Sequence, residues 1–220
     1  MKRHKSLCFA ALLPLLLAPL CAAPGEIPEP PHVATIPPFT SWRISVIPSK
    51  RTPEPSSPEE ARARENTEHY FPPLESVAGY KNDRVIHEIS TWKNSGPTES
   101  FVVDGVLYRP SSPRYPQDIV ALDPANAAVP DLTKNSFPNL AWVNAQSFVK
   151  TLTEEGRQLH FYEQQGSRGL PSNQAWIDAK TRLPARWDDG RLLRIFTFSP
   201  AKPREIPIPP AVQKLIPPSP

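Results

Sequence analysis

Cysteine is almost missing from this chain: Cys8 and Cys21 are its only two, and both precede position 22. A mature protein that starts after them has no disulfide and no thiol chemistry, so a hydrophobic core must hold it together. Glycine is scarce as well. With 8 glycines in 220 residues, a glycine-rich phosphate cradle has nothing to be built from. Within the central region the only histidines are His69, His87 and His160; no two have the spacing of ligands on one element, so no metal is expected. Gly166-Ser167-Arg168-Gly169 lacks the spacing and the strand-to-helix setting of a nucleophile elbow. No catalytic residue and no cofactor is assigned, and the chain is read as non-enzymatic. The one chemical alternative is a hydrolase whose carboxylates lie far apart in sequence.

A net charge of one sign is the next absence. Lys2, Arg3 and Lys5 precede an apolar stretch from Leu7 to Leu20 and then small residues, the layout of a secretory signal peptide over residues 1–22, cut before Ala23. The stretch is too short to span a membrane, so peripheral membrane association is compatible with it and spanning is not. Export to the periplasm or beyond is expected. A lipid anchor at Cys21 is disfavoured, because Leu20 is bulky where a lipoprotein signal has a small residue. Without Lys2, Arg3 and Lys5 the 25 basic residues fall to 22, level with 22 acidic ones. The mature chain is neutral, and nucleic acid is not an expected partner.

Proline, by contrast, is abundant, with 31 residues concentrated toward both ends. Residues 23–40 read as an extended leader with little to bury, and 201–220 as a tail laid across the fold. Between them, 41–200 reads as one β domain. Its centre is 173–198, where Asn173–Asp178, Leu183–Trp187 and Leu192–Phe198 form three strands joined by Ala179–Arg182 and Asp188-Asp189-Gly190. In the last of these strands both faces are apolar, so both are expected to need cover.

Upstream, Trp42, Ile44 and Val46 alternate in a first strand ending at Pro48, and Ser57-Pro58-Glu59-Glu60 fits a capping box opening a short surface helix to about Tyr70. Ser76–Lys81 and Arg84–Trp92 pair across Asn82-Asp83; Thr98–Val103 and Val106–Arg109 pair across Asp104-Gly105. Residues 110–138 read as a long loop, and Leu140–Thr153 pairs with Gln158–Glu163 over Glu154-Glu155-Gly156. The expected fold is therefore mainly β: a curved antiparallel meander of about ten strands, an unclosed barrel with one short helix.

Trp92, Phe101, Tyr108, Trp142, Phe161, Trp176 and Phe196 all fall on or beside these strands. Core packing explains most such rings. A sheet with so little helix leaves some of them facing a cleft, however, and these seven are the candidate ligand contacts, with 110–138 as a lid.

The run Ala175-Trp176-Ile177-Asp178-Ala179-Lys180-Thr181-Arg182-Leu183-Pro184, followed by Arg186 and a strand ending Phe-Thr-Phe, resembles the lipoprotein-localisation (LolA/LolB-like) family of exported bacterial proteins. Trp176, Asp178, Leu183 and Pro184 are the matching positions, as structural parts of the motif. The resemblance implies a half-barrel whose concave face takes acyl chains or a lipidated peptide. It also implies an amphipathic N-terminal helix and mouth-plugging helices, where this chain has a proline-rich leader and the 58–70 segment. The functional expectation is an exported binding protein for an apolar or lipid-like ligand, or for a lipoprotein. The alternative is a cell-envelope interaction module with a self-filled sheet and a protein partner.

Overall fold

The computed structural model describes residues 26–52, 54–70, 73–122, 137–166 and 171–217. The expected signal peptide, residues 123–136 of the expected lid, and residues 167–170 lie outside them. Among the described residues there are eleven strands: β1 (Thr40–Pro48), β2 (Leu74–Lys81), β3 (Val85–Trp92), β4 (Thr98–Val103), β5 (Val106–Ser112), β6 (Tyr115–Leu122), β7 (Phe148–Glu154), β8 (Arg157–Gln164), β9 (Asn173–Asp178), β10 (Pro184–Asp188) and β11 (Leu192–Pro200). They form one sheet in the order β6-β5-β4-β3-β2-β1-β11-β10-β9-β8-β7. First and last strands thus meet at the centre, paired from Thr40 opposite Pro200 to Pro48 opposite Leu192. Two antiparallel meanders run outward from that seam, a first arm through β6 and a second arm through β7. The edge strands β6 and β7 follow one another in sequence yet lie at opposite ends, so the sheet stays unclosed.

Local chemistry explains the meanders. Asp104 (φ 47°) with Gly105 (φ 85°), and Glu155 (φ 50°) with Gly156 (φ 77°), both supply the two positive-φ residues that match a tight hairpin to strand twist. At the wider turn, Asp189 Oδ1 accepts the backbone N–H groups of Arg191 and Leu192 at 2.9 and 2.8 Å. The short helix is present as α1 (Pro58–Tyr70), with Ser57 Oγ accepting the Glu60 N–H at 3.2 Å. A second helical turn, α2 (Pro210–Gln213), closes the tail.

Residues directly opposite one another share a face of the sheet, so the registers sort every side chain. One face, called the inner face here, carries Trp42, Ile44 and Val46 with Phe196 and Phe198, then Ala175, Ile177, His160 and Tyr162 across the second arm. In the first arm it carries Val77, Gly79, Ile86, Glu88, Val102 and Leu107. The outer face carries Tyr80, His87, Phe101, Val103 and Tyr108 in the first arm, and Phe161, Trp176, Arg186 and Ile195 in the second.

The two arms build their cores on opposite faces. On the inner face of the second arm and the seam, Trp42, Tyr162, Ala175, Ile177 and Phe196 pack with Ile36 from the leader and with Phe137, Leu140 and Val143. On the outer face of the first arm, Tyr80, Phe101, Val103 and Tyr108 pack with Ile206 and Val212 from the tail. The tail lies across the sheet as expected. The leader does not remain a spacer: Ile36 is only 3 % exposed, Ala34 N–H donates to Arg182 O at 2.9 Å, and Ile36 O accepts Lys81 Nζ at 2.6 Å. An extended proline-rich segment has few backbone donors of its own to satisfy, which frees its occasional apolar side chains to dock.

Three further expectations change. Residues 110–122 are not one long loop but the end of β5, a two-residue turn at 113–114 and all of β6. Pro110 is tolerated because β4 stops pairing with β5 at Tyr108, and Pro116 because β6 is an edge strand. The strand expected from Leu140 begins only at Phe148, after a 3-10 turn at Pro138–Leu140. Finally, the second face of β11 is not covered, since Ile195 is 38 % exposed.

Candidate functional site

The sheet-facing aromatics do not gather into one wall. Phe101 and Tyr108 are sealed in the tail-covered core, Phe101 stacking on His87 at 4.6 Å. Phe196 is sealed on the other face, edge-on to Phe137 at 5.9 Å. Phe161 and Trp176 pair at 5.1 Å on the outer face of the second arm, with the Arg186 guanidinium 4.7 Å above the indole. Trp92 is tied at its strand end, its Nε1 donating to Thr98 Oγ1 at 2.8 Å. Trp142 leans on the inner core, and its Nε1 is buried without a hydrogen-bond partner. The register explains the scatter: alternate residues point to opposite faces, and each arm seals a different one.

The matched motif is architectural. Asp178 Oδ1 accepts the N–H groups of Lys180 and Thr181 at 3.1 and 2.8 Å, and Asp178 Oδ2 pairs with Arg157 at 2.9 Å. Burial pushes this carboxyl up, but the bonds to Thr181 and Arg157 outweigh it and hold the group below its ordinary value. Leu183 and Pro184 are buried where the turn enters β10.

What the registers do bring together is a site on the inner face of the first arm. Trp42 on β1 stands opposite Gly79 on β2, which stands opposite Glu88 on β3. The indole lies flat across Gly79, where a Cβ would overlap the ring, and its N–H reaches the Glu88 carboxyl. Burial raises the Glu88 pKa above its ordinary value, and the indole hydrogen bond offsets part of that rise. Beside this triplet runs a row across four strands, Leu122 opposite Leu107, then Val102, then Ile86. All four side chains are half-buried. The row ends at Lys81, whose ammonium is held by Ile36 O at 2.6 Å and whose pKa is lowered by burial. The site is therefore an aliphatic strip bordered by the Lys81 ammonium and by one carboxyl whose pKa burial raises. Such a strip can hold an acyl chain, and the carboxyl, when protonated, can donate a hydrogen bond to a polar group on it. Neither a nucleophile nor a proton relay belongs to this arrangement.

Glu88 escaped sequence reasoning because it alternates with Ser90 on a strand of ordinary appearance. The available signal was Gly79, a lone glycine inside a strand, which marks a close approach by another group.

A different polar cluster ties the sheet ends. Arg51 Nη2 donates to Ser172 O and Oγ at 2.7 Å each, Ser172 Oγ and Gln174 donate to Glu163 at 2.7 and 2.9 Å, and Ser49 Oγ donates to Asp188 at 2.8 Å. The bonds from Ser172 and Gln174 lower the Glu163 pKa. Each carboxylate there is satisfied by the protein itself, so the cluster is a brace. On the outer face, a cleft of about 340 Å³ lies between the β2–β3 surface at Tyr80, His87 and Ile89 and the tail at Arg204–Pro207. Among the described residues no group of three or more His, Cys, Asp or Glu is placed to hold a metal ion, and no helix is long and apolar enough to cross a membrane. No protein-family model matches the chain, and neither does any curated protein.

Proposed function

We propose that this protein is an exported, non-enzymatic binding protein that holds an apolar or lipid-like ligand along the aliphatic row Ile86, Val102, Leu107 and Leu122, with Glu88 as its polar anchor. One observation carries the reading: the row is continuous, uncharged and half-buried, and beyond Ile86, which packs against the inner core, its members Val102, Leu107 and Leu122 belong to neither core among the described residues. Half-exposed apolar side chains in a row, with no charge among them, mark a contact surface. The bare outer face of the second arm differs, because Arg186 interrupts it and pairs with Glu154 at 2.6 Å, as on a water-facing sheet. The resemblance to the lipoprotein-localisation family, whose members take acyl chains on such a face, supports a lipid-like ligand and a lipoprotein as its source.

The test is displacement of a fluorescent fatty acid, together with mass spectrometry of protein purified from its own host. Leu107→Asp should weaken binding by about tenfold or more, since a charge would enter the row. Wild-type protein that arrives free of lipid and binds no fatty acid would end the proposal.

A second reading, a cell-envelope interaction module with a self-filled sheet, is favoured by the sealing of Phe101, Tyr108 and Phe196 under the chain's own segments. Crosslinking in the envelope that recovers a single protein in quantity, with no lipid retained, would select it.

A further inference from the structure

We propose that His32, His160, Tyr162 and Arg182 form a binding site for a phosphate-type oxyanion, at the far end of the second arm from the aliphatic row. Four elements meet there. His32 comes from the leader, His160 and Tyr162 stand two apart on the inner face of β8, Arg182 lies in the β9–β10 turn, and Phe148 of β7 packs edge-on against both His160 and Tyr162 at 6.0 and 5.6 Å. Tyr162 is fully buried, and its hydroxyl meets His32 Nδ1 at 3.3 Å. Thr151 Oγ1 meets His160 Nδ1 at 3.0 Å.

Arg182 is fixed from both sides. Its N–H donates to Asp178 O at 2.8 Å, its carbonyl accepts from Ala34 N at 2.9 Å, and its φ of 59° sets the turn. Its Nη1 is nevertheless buried without a hydrogen-bond partner. Buried cations are ordinarily paired. Arg51 Nη1 also lacks a hydrogen bond, yet it has Asp188 at 3.7 Å, whereas no described carboxylate lies within ion-pair distance of Arg182. Asp178, the carboxylate whose charge reaches His160, is already bonded to Arg157 and Thr181. The Arg182 charge is felt by His32, His160 and Tyr162, groups able to donate hydrogen bonds and none of them a counter-charge. Donors arriving from several elements suit a tetrahedral oxyanion, the missing partner in this constellation.

The electrostatics agree in direction. Burial and the Arg182 charge lower both imidazole pKa values, His32 and His160 oppose one another, and Asp178 raises His160 in part. Burial pushes the Tyr162 phenol up to about 12. An anion bound beside these groups would favour the protonated form of each imidazole against burial and the Arg182 charge, so affinity should rise as pH falls.

The experiment titrates the full chain with inorganic phosphate by calorimetry, at about pH 6 and about pH 8, beside vesicles of phosphatidylcholine with and without phosphatidic acid. Saturable phosphate binding that tightens at the lower pH, raises the melting temperature, and weakens by about tenfold in Arg182→Gln supports the site. Vesicle capture that needs both phosphatidic acid and Arg182 supports it with a lipid headgroup as the source. No binding in either arm, or binding equal in wild type and Arg182→Gln, overturns it. The His160→Gln variant should weaken phosphate binding and remove part of its pH dependence; an affinity and pH profile both unchanged in His160→Gln would overturn the site. Fatty-acid binding at the aliphatic row is read separately and stands or falls on its own.

Discussion

The two arms of this sheet have the same strand grammar and opposite cores. In the second arm, Tyr162, Ala175 and Ile177 are sealed on the inner face, and the outer row of Phe161, Trp176, Arg186 and Ile195 meets water. In the first arm, Tyr80, Phe101 and Tyr108 are sealed on the outer face, and the inner row from Ile86 to Leu122 is left half-exposed. Alternation alone does not choose between these outcomes. The choice is made by which loose segment reaches which face: leader and 137–143 on one, tail on the other. A sheet apolar on both sides can thus be stabilised arm by arm, and the surface left over is determined by where the chain ends happen to lie.

Trp42 stands at the seam, where this contrast should break most severely. Its removal takes a buried indole from the inner core, opens the space over Gly79, and strips Glu88 of its hydrogen bond. Trp42→Ala should cost about 3–5 kcal/mol in urea unfolding, and hydrogen exchange should accelerate in both arms. Truncations away from the seam should separate them. Leu140→Ala and Ile206→Ala should each cost about 2–5 kcal/mol. The first should lower exchange protection on β8 and β9, the second on β4 and β5. Equal loss in both arms from either variant would show one cooperative core and dissolve the distinction.

These same residues show what was legible in the sequence. Strands and hairpins follow from neighbours in the chain: Asp104-Gly105 and Glu155-Gly156 carry their own turn geometry, and Val85–Trp92 carries its own alternation. The mainly β, unclosed sheet came from such local signals. Cover is different, because it joins residues far apart. Ile36 and Ile206 sit among prolines and look idle until a sheet face is placed beneath them, which is why the leader read as a spacer. Pro110 and Pro116 suggested loop because their tolerance depends on which neighbour strand ends early and which strand is at the edge. The candidate site was hidden for a like reason. Trp42, Gly79 and Glu88 form a unit only once β1, β2 and β3 are in register.

Two carboxyls extend the comparison to pH, with opposite signs. Glu88 in the first arm has a raised pKa in the fold. The unfolded chain therefore releases that proton first, and stability falls as pH climbs from the ordinary carboxyl value to the raised one. Glu88→Gln should remove this dependence and raise the urea midpoint at neutral pH. Asp178 in the second arm has a lowered pKa. Its contribution is full above the ordinary Asp value and is lost as pH drops through the depressed one. Asp178→Asn should flatten the acid limb and cost about 1 kcal/mol at neutral pH, where the turn bonds to Lys180 and Thr181 weaken. Profiles with the same sign would contradict the environments described for the two groups.

The smallest effect should come from Arg186, and its smallness is what the contrast requires. Arg186 lies over Trp176 at 4.7 Å and pairs with Glu154 at 2.6 Å, with side-chain exposures of 31 % and 41 % for the pair. Water screens a pair that exposed, so the bridge and the stacked cation together should be worth about 0–1 kcal/mol. Arg186→Gln should shift the urea midpoint barely and leave fatty-acid binding untouched, because the outer row of the second arm is a solvated face. Leu107→Asp, one substitution on the other bare row, should do the reverse, with little change in stability and a large loss of ligand. If Arg186→Gln instead abolished binding, the ligand would belong to the aromatic pair Phe161 and Trp176, and the roles assigned to the two uncovered faces would have to be exchanged.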